Sequence, residues 1–188
     1  KLPEVAKALK EDGVYNIVGH IHGIHKDKPF KTRSKKIELF NSRYEENGID
    51  PMPVYSPPQP VPKNHFRIVV GRNAYITQSA STNNAVLWEL ERENSLWIHP
   101  VPAKTLGIQH GERVEVKSSA GKGRLKARVT EDTRPDTVYM DTGFGVISKG
   151  LSKIFGKGAC IADVLEDHAD QISGNMAMHE TFVTVKKV

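Results

Sequence analysis

The chain has 188 residues, 38% hydrophobic and 26% charged, with a net charge of +5 and one cysteine. No apolar run approaches the ~20 residues of a membrane-spanning helix, and a lone thiol excludes an intrachain disulfide and any iron–sulfur or zinc site that takes several thiolates from this chain. The length suits one domain with an extension or two small lobes, and the positive charge suits a nucleic acid or a phosphorylated cofactor.

Residues 2–12 predict a short amphipathic helix, with Leu2, Val5 and Leu9 on one face and Gly13 as a stop. VYNIVGHIHGIH alternates weakly as a strand, KDKPFKTRSKK is a basic loop, and KIELF predicts a strand with Ile37 and Leu39 on one face. NSRYEENG predicts a capped helical turn closed by Gly48. An α+β appendage over 1–49 is expected to end at a proline-rich linker over 50–63. Six prolines in the thirteen residues Asp50–Pro62 forbid both a helix and a central strand.

From residue 64 onward the pattern turns to β. FRIVVG, SLWI, ERVEVKSS, GRLKARVTE, TVYMD and ETFVTVKKV predict six strands. AVLWELERE, PAKTLG and IADVLED predict short helices between them, and GFGVISKGLSKIFGKGA is a glycine-rich excursion. Short strands with tight turns predict a mainly β fold over 64–188, a closed small barrel with helical insertions.

AKTLGIQHGERVEV carries a specific order: a short helix ending at Gly107, then Ile108, a turn at Gly111, and a strand through Val114 and Val116. This resembles the C-terminal barrel of molybdopterin oxidoreductases, the dimethyl-sulfoxide-reductase superfamily, whose signature there is A-x-x-L-G-I-x-x-G-D-x-V-x-V; Glu112 replaces the usual Asp. The resemblance continues through V-T-E…R-P-D-T-V to G-F-G. It reaches back through E-N-S-L-W-I-H-P and T-N-N to FKTRSKKIELFNSRYEENGIDPMPVY, and so covers roughly residues 30–188. Thiosulfate and polysulfide reductase catalytic chains are the most similar subgroup.

The resemblance implies a double-psi barrel that holds half of a bis(molybdopterin guanine dinucleotide) cofactor carrying molybdenum or tungsten. It implies the C-terminal part of an oxidoreductase catalytic subunit, inactive alone and retaining no cofactor alone. The implied partners are the remaining domains of that subunit, an iron–sulfur electron-transfer subunit and a membrane-anchor subunit, with no nucleic acid and no membrane insertion of this chain. Members of the subgroup are often periplasmic or on the outer face of the cytoplasmic membrane. The alternative is a stand-alone barrel that serves as a binding module or as a small subunit of a complex.

A pyrophosphate needs backbone N–H groups, hydroxyls and a cation. Gly71 and Arg72 at a strand end, followed by Thr77, Gln78, Ser81, Asn83 and Asn84, offer such groups. On composition alone this is a polar loop whose Asn83 or Asn84 caps the next helix; the resemblance makes it a cofactor loop. Many family members have His where this chain has Ile76, so any contact through that side chain is lost. Gly143 and Phe144 in G-F-G, and Asn175 in the loop before the last strand, complete the implied set; from the residues alone they are turn residues, with Phe144 in the core.

His20, His22 and His25 form an H-x-H-x-x-H cluster with no nearby carboxylate or thiol, which favours solvated histidines over a metal site. The basic run from Lys26 to Lys36 interleaves only Phe30, so it makes no base-stacking platform. Cys160 has no identifiable cationic partner and is expected to be a partly buried, inert thiol. No catalytic or metal-ligating residue is expected within this chain.

Overall fold

Six segments rich in β-branched and apolar residues become strands: β1 (Phe66–Gly71), β2 (Ser95–Ile98), β3 (Arg113–Lys117), β4 (Lys122–Val129), β5 (Thr137–Asp141) and β6 (Phe182–Lys187). The computed structural model describes residues 2–15, 23–52, 54–170 and 172–188. They fall into two compact units, Lys1–Ser56 and Pro57–Val188.

In the larger unit the strands close into a barrel in the order β1-β5-β2-β4-β3-β6. The pairs β1/β5 and β2/β4 are parallel, and the other four are antiparallel. This is the double-psi arrangement. Closure leaves no free sheet edge. Ile68, Leu96, Ile98, Val114, Val116, Val138, Met140 and Val183 point inward and are fully buried.

One consequence of this order sets up the site. β1 and β5 run side by side in the same direction, with Gly71 opposite Asp141. The chain therefore leaves both strands at the same end, and segments distant in sequence begin as neighbours.

Three short helices join the strands: α1 (Gln78–Ser81), α2 (Ala85–Leu90) and α3 (Pro100–Thr105). The cap of α3 follows from its sequence. His99 Nδ1 accepts from Val101 N–H, Pro100 occupies the first turn, and Gly107 takes φ +66° just past the end. The helix expected over IADVLED is only a 3-10 turn, Ile161–Asp163. Its continuation is diverted by tertiary partners: Ser118 Oγ donates to Val164 O (2.5 Å), and Glu166 N donates to Thr181 Oγ1 (3.0 Å).

The smaller unit holds α4 (Leu2–Glu11), α5 (Ile24–Asp27) and α6 (Ser42–Glu46). Asn41 caps α6 by accepting from Arg43 N–H, and Gly48 follows with φ +70°. The strand expected over KIELF does not form, and among the described residues the unit has no strand. Ile37 and Leu39 are 69% and 76% exposed; a period-two pattern without a partner strand has nothing to pair with or pack on. Of the two strands expected in the appendage, the KIELF strand is absent, and the one over VYNIVGHIHGIH lies largely outside the described residues. His20 and His22 lie outside the described residues, whereas His25 stacks on Phe30 with centroids 3.9 Å apart. Residues 54–62 form neither helix nor strand.

On the outer face of β3, Glu115 is buried beneath three cations: Arg124 at 2.9 Å, Lys186 at 3.1 Å and Lys122 at 3.9 Å. Hydrogen bonds from Lys186 and then Arg124 hold its carboxyl below the usual glutamate range. A carboxyl depressed in the folded state contributes its full stability above the unfolded value, about pH 4. That contribution is lost as pH falls through the lower folded value. Thermal melts over an acid pH series are expected to show this loss, and Glu115→Gln is expected to flatten it; an unchanged acid limb in the variant would contradict the assignment.

Candidate functional site

At the shared end of β1 and β5 three segments are fastened together. Thr142 N donates to Gly71 O (3.1 Å). Gly143, at φ +94°, lies against α1 so closely that a Cβ there would sit 2.6 Å from Gln78 C and 2.9 Å from Ser79 N. Gln78 itself takes φ +45°, a left-handed conformation costly for a non-glycine residue. Gly145 (φ +73°) abuts the Ala159–Cys160 backbone, where any side chain would collide.

Asn94 completes the junction from β2. It is 1% exposed. Its Nδ2 donates to Asp141 O (2.9 Å) and Ala159 O (3.0 Å), and its Oδ1 accepts from Ala159 N (3.0 Å). One buried amide thus ties the end of β5 to the far side of the glycine-rich excursion.

The structure brings Gly71, Gln78 and Gly143 to this junction, with Arg72 next to Gly71 and with Thr77 and Ser81 at the two ends of α1. Gly71 must lack a side chain because the Tyr139 ring fills the space a Cβ would take. Exposed Arg72 lines a 280 Å³ pocket with Glu91, Trp97, Arg128, Tyr139 and Asp141. Tyr139 OH donates to Asp141 Oδ1 (2.5 Å), and Asn73 Nδ2 donates to Glu91 Oε2 (3.2 Å). Burial, and then the Asp141 charge, push the Glu91 carboxyl up; burial and the same aspartate push up the Tyr139 phenol. Arg128 lies 4.0 Å over the Trp97 ring. Two guanidinium groups and two carboxyl groups therefore line the same pocket.

Around α1 the polar side chains share one orientation of chemistry. Ser81 Oγ accepts from Thr77 N (2.6 Å), Asn83 Oδ1 from Lys153 N (2.9 Å), and Asn84 Oδ1 from Val86 N (2.9 Å) and Leu87 N (3.3 Å). Each of these oxygens accepts from backbone, and the amide N–H and hydroxyl O–H groups remain open as donors. Asn84 caps α2 as composition suggested. Thr77 precedes α1 with its hydroxyl uncommitted to the cap. The Thr142 hydroxyl is buried and meets no partner among the described residues.

Two expected residues stand differently. Phe144 is 3% exposed; its ring is interior, as an apolar ring beside a tight turn would be, and only its backbone is left for a ligand. Asn175 is not joined to the junction by any hydrogen bond among the described residues. It sits on an exposed hairpin where its carbonyl accepts from Asp170 N (2.8 Å). The turn after it is held by Arg67, which donates to His179 O (2.5 Å) near the opposite end of β1 from Gly71. Cys160 is half-buried and unpaired by disulfide.

Asn94, Tyr139 and Asp141 escaped sequence reasoning. The E-N-S-L-W run held the clue to Asn94, an amide directly before an apolar strand, but nothing in it says where the side chain turns. Tyr139 and Asp141 read only as part of the TVYMD strand.

Residues 66–182 match the family described as the molydopterin dinucleotide binding domain. The chain is 29% identical over 163 residues to the thiosulfate reductase molybdopterin-containing subunit of Salmonella typhimurium, covering 84% of this chain and 21% of that protein. It is 25% identical over 175 residues to dimethyl sulfoxide reductase DmsA of Escherichia coli, covering 85% and 21%. In fold it is similar to acetylene hydratase from Pelobacter acetylenicus, with a TM-score of 0.72 at 21% identity over 86% of this chain and 24% of that one. The chain thus spans about a fifth of the length of these curated relatives.

Proposed function

The chain belongs to the molydopterin dinucleotide binding domain family, and on that premise we propose that it is the cofactor-clasping part of a molybdenum or tungsten oxidoreductase catalytic subunit whose substrate class is a sulfur oxyanion or polysulfide. The observation that carries the binding role is the junction at the shared end of β1 and β5, where Gly143 lies against α1 and the Thr142 hydroxyl is buried without a partner among the described residues. The relative named as a thiosulfate reductase supports the substrate class.

The residues fit an anionic, acceptor-rich ligand. Arg72 is the exposed cation that would neutralise a phosphate. The amide N–H groups of Asn83 and Asn84, the Ser81 and Thr77 hydroxyls, and Gln78 supply donors for phosphate or pterin edges. Gly71 and Gly143 keep the backbone bare, and the buried Thr142 hydroxyl still has its hydrogen bond to make. Asn175, on its exposed hairpin, stands apart from this set. When bound, the metal–pterin group supplies two-electron oxygen- or sulfur-atom exchange. This chain's residues bind, orient and electrostatically balance it; electron delivery and membrane attachment belong to other domains or subunits, and this part alone neither turns over substrate nor retains the cofactor.

Arg72→Ala in the full-length protein is expected to lower pterin and metal content together by about tenfold, the scale of one charge-assisted hydrogen bond to phosphate. Elemental analysis with fluorescence of the oxidised pterin measures it. Unchanged content would leave Arg72 without a part in holding the cofactor.

A further inference from the structure

We propose that the outer face of the β3–β4–β6 sheet is a docking surface for a separate, carboxylate-rich protein that is met transiently. The inference does not rest on the cofactor reading.

Strand alternation turns Lys122, Arg124, Lys126 and Arg128 of β4 to the outside, while Leu125 and Ala127 point into the barrel. Register then sets Arg113 of β3 opposite Lys126, and Lys117 opposite Lys122. β6 adds Lys186 opposite Glu115. Two of these three β3–β4 pairs place like charges directly across from each other, an arrangement that destabilises a sheet. The third, Glu115 with Arg124, is the buried carboxylate that relieves the centre. Lys126 has a second relief in Glu93 at 2.5 Å. The cations still exceed the acids, and their side chains are open: Lys186 is 71% exposed, Lys122 60% and Arg124 56%. The hairpin carries a local electrostatic conflict that its own fold does not need.

The chemistry selects the partner. Single-stranded nucleic acid wants rings to stack its bases, and the aromatic ring on the β2 strand beside β4, Trp97, is already covered by Arg128. Arg124, Lys126 and Lys186 each spend part of their donor capacity on Glu115 or Glu93, which leaves separate single cations suited to separate carboxylates. Permanent burial against another domain of the same polypeptide would desolvate the whole array at high cost, and lysine is depleted from such interface cores. A rapid, salt-sensitive encounter with an acidic surface uses the same charges while they stay hydrated.

The test uses the whole chain, an oligo-glutamate peptide as probe, and duplex DNA as the competing ligand. Lys117→Glu with Arg113→Glu is expected to weaken oligo-glutamate binding about tenfold and to flatten its salt dependence. The same variant should melt no lower than the parent, because each new glutamate faces a lysine across the hairpin. The control, Lys7→Glu with Lys10→Glu, changes net charge equally on α4 and should shift binding less than about twofold. Equal losses in the two variants would mean a net-charge effect and overturn the proposal. Tighter, patch-dependent binding of duplex DNA would also overturn it, in favour of nucleic acid.

Discussion

Replacing Asn94 with alanine is expected to destabilise the barrel unit by about 3 kcal/mol or more and to release the 142–160 excursion from the end of β5. The amide makes three hydrogen bonds in a site only 1% exposed. Its removal leaves two buried carbonyls and one buried N–H to find new partners, and each such orphan costs ~1–3 kcal/mol. Gly158 packs against the same side chain at φ +65°, so the loop cannot simply collapse into the gap. Chemical denaturation measures the loss. Hydrogen exchange localises it: the amides of Gly145 and Ala159 should lose protection before those of β3 and β4. A loss below ~1 kcal/mol would mean that the glycine turns, not the amide, hold the excursion.

Gly143→Val should act at the same junction by a different cause. The backbone at φ +94° disfavours any side chain, and the added carbon would overlap the Gln78 backbone at 2.6 Å. Strain of this kind costs ~1–3 kcal/mol before the clash is counted, and relief requires α1 to move away from β5. In the full-length protein, cofactor content is expected to fall at least about tenfold, more than for Arg72→Ala, because every donor on α1 moves together. Gly150→Val is the matched control: nothing lies closer than 3.7 Å to its Cβ position. Equal retention in both variants would show that α1 does not have to sit where it does.

The barrel was legible because all six strands are rich in β-branched and apolar residues. Gly107 and Gly48 were legible as stops because a left-handed residue after a helix favours glycine. KIELF alternated with period two and formed no strand, since alternation predicts a pleated face only where a partner exists. The junction was half legible. Its loops advertise glycine, amide and hydroxyl, but the inward turn of the Ser81, Asn83 and Asn84 oxygens depends on backbone N–H groups as distant as Lys153. Asn94 was illegible for the same reason: its partners lie 47 and 65 residues away.

The pairing of β1 with β6 has a consequence for how the polypeptide is made. Phe66 pairs with Val183, 117 residues later (183 − 66), and β6 is also the partner of β3. A ribosome releasing this segment therefore exposes β1 and β3 with unpaired edges until β6 emerges, and every earlier length of nascent chain is an open sheet. Open edges recruit other strands, so the interval before β6 arrives is the one in which a holding chaperone, or slowed translation between β5 and β6, should most change the yield of folded protein.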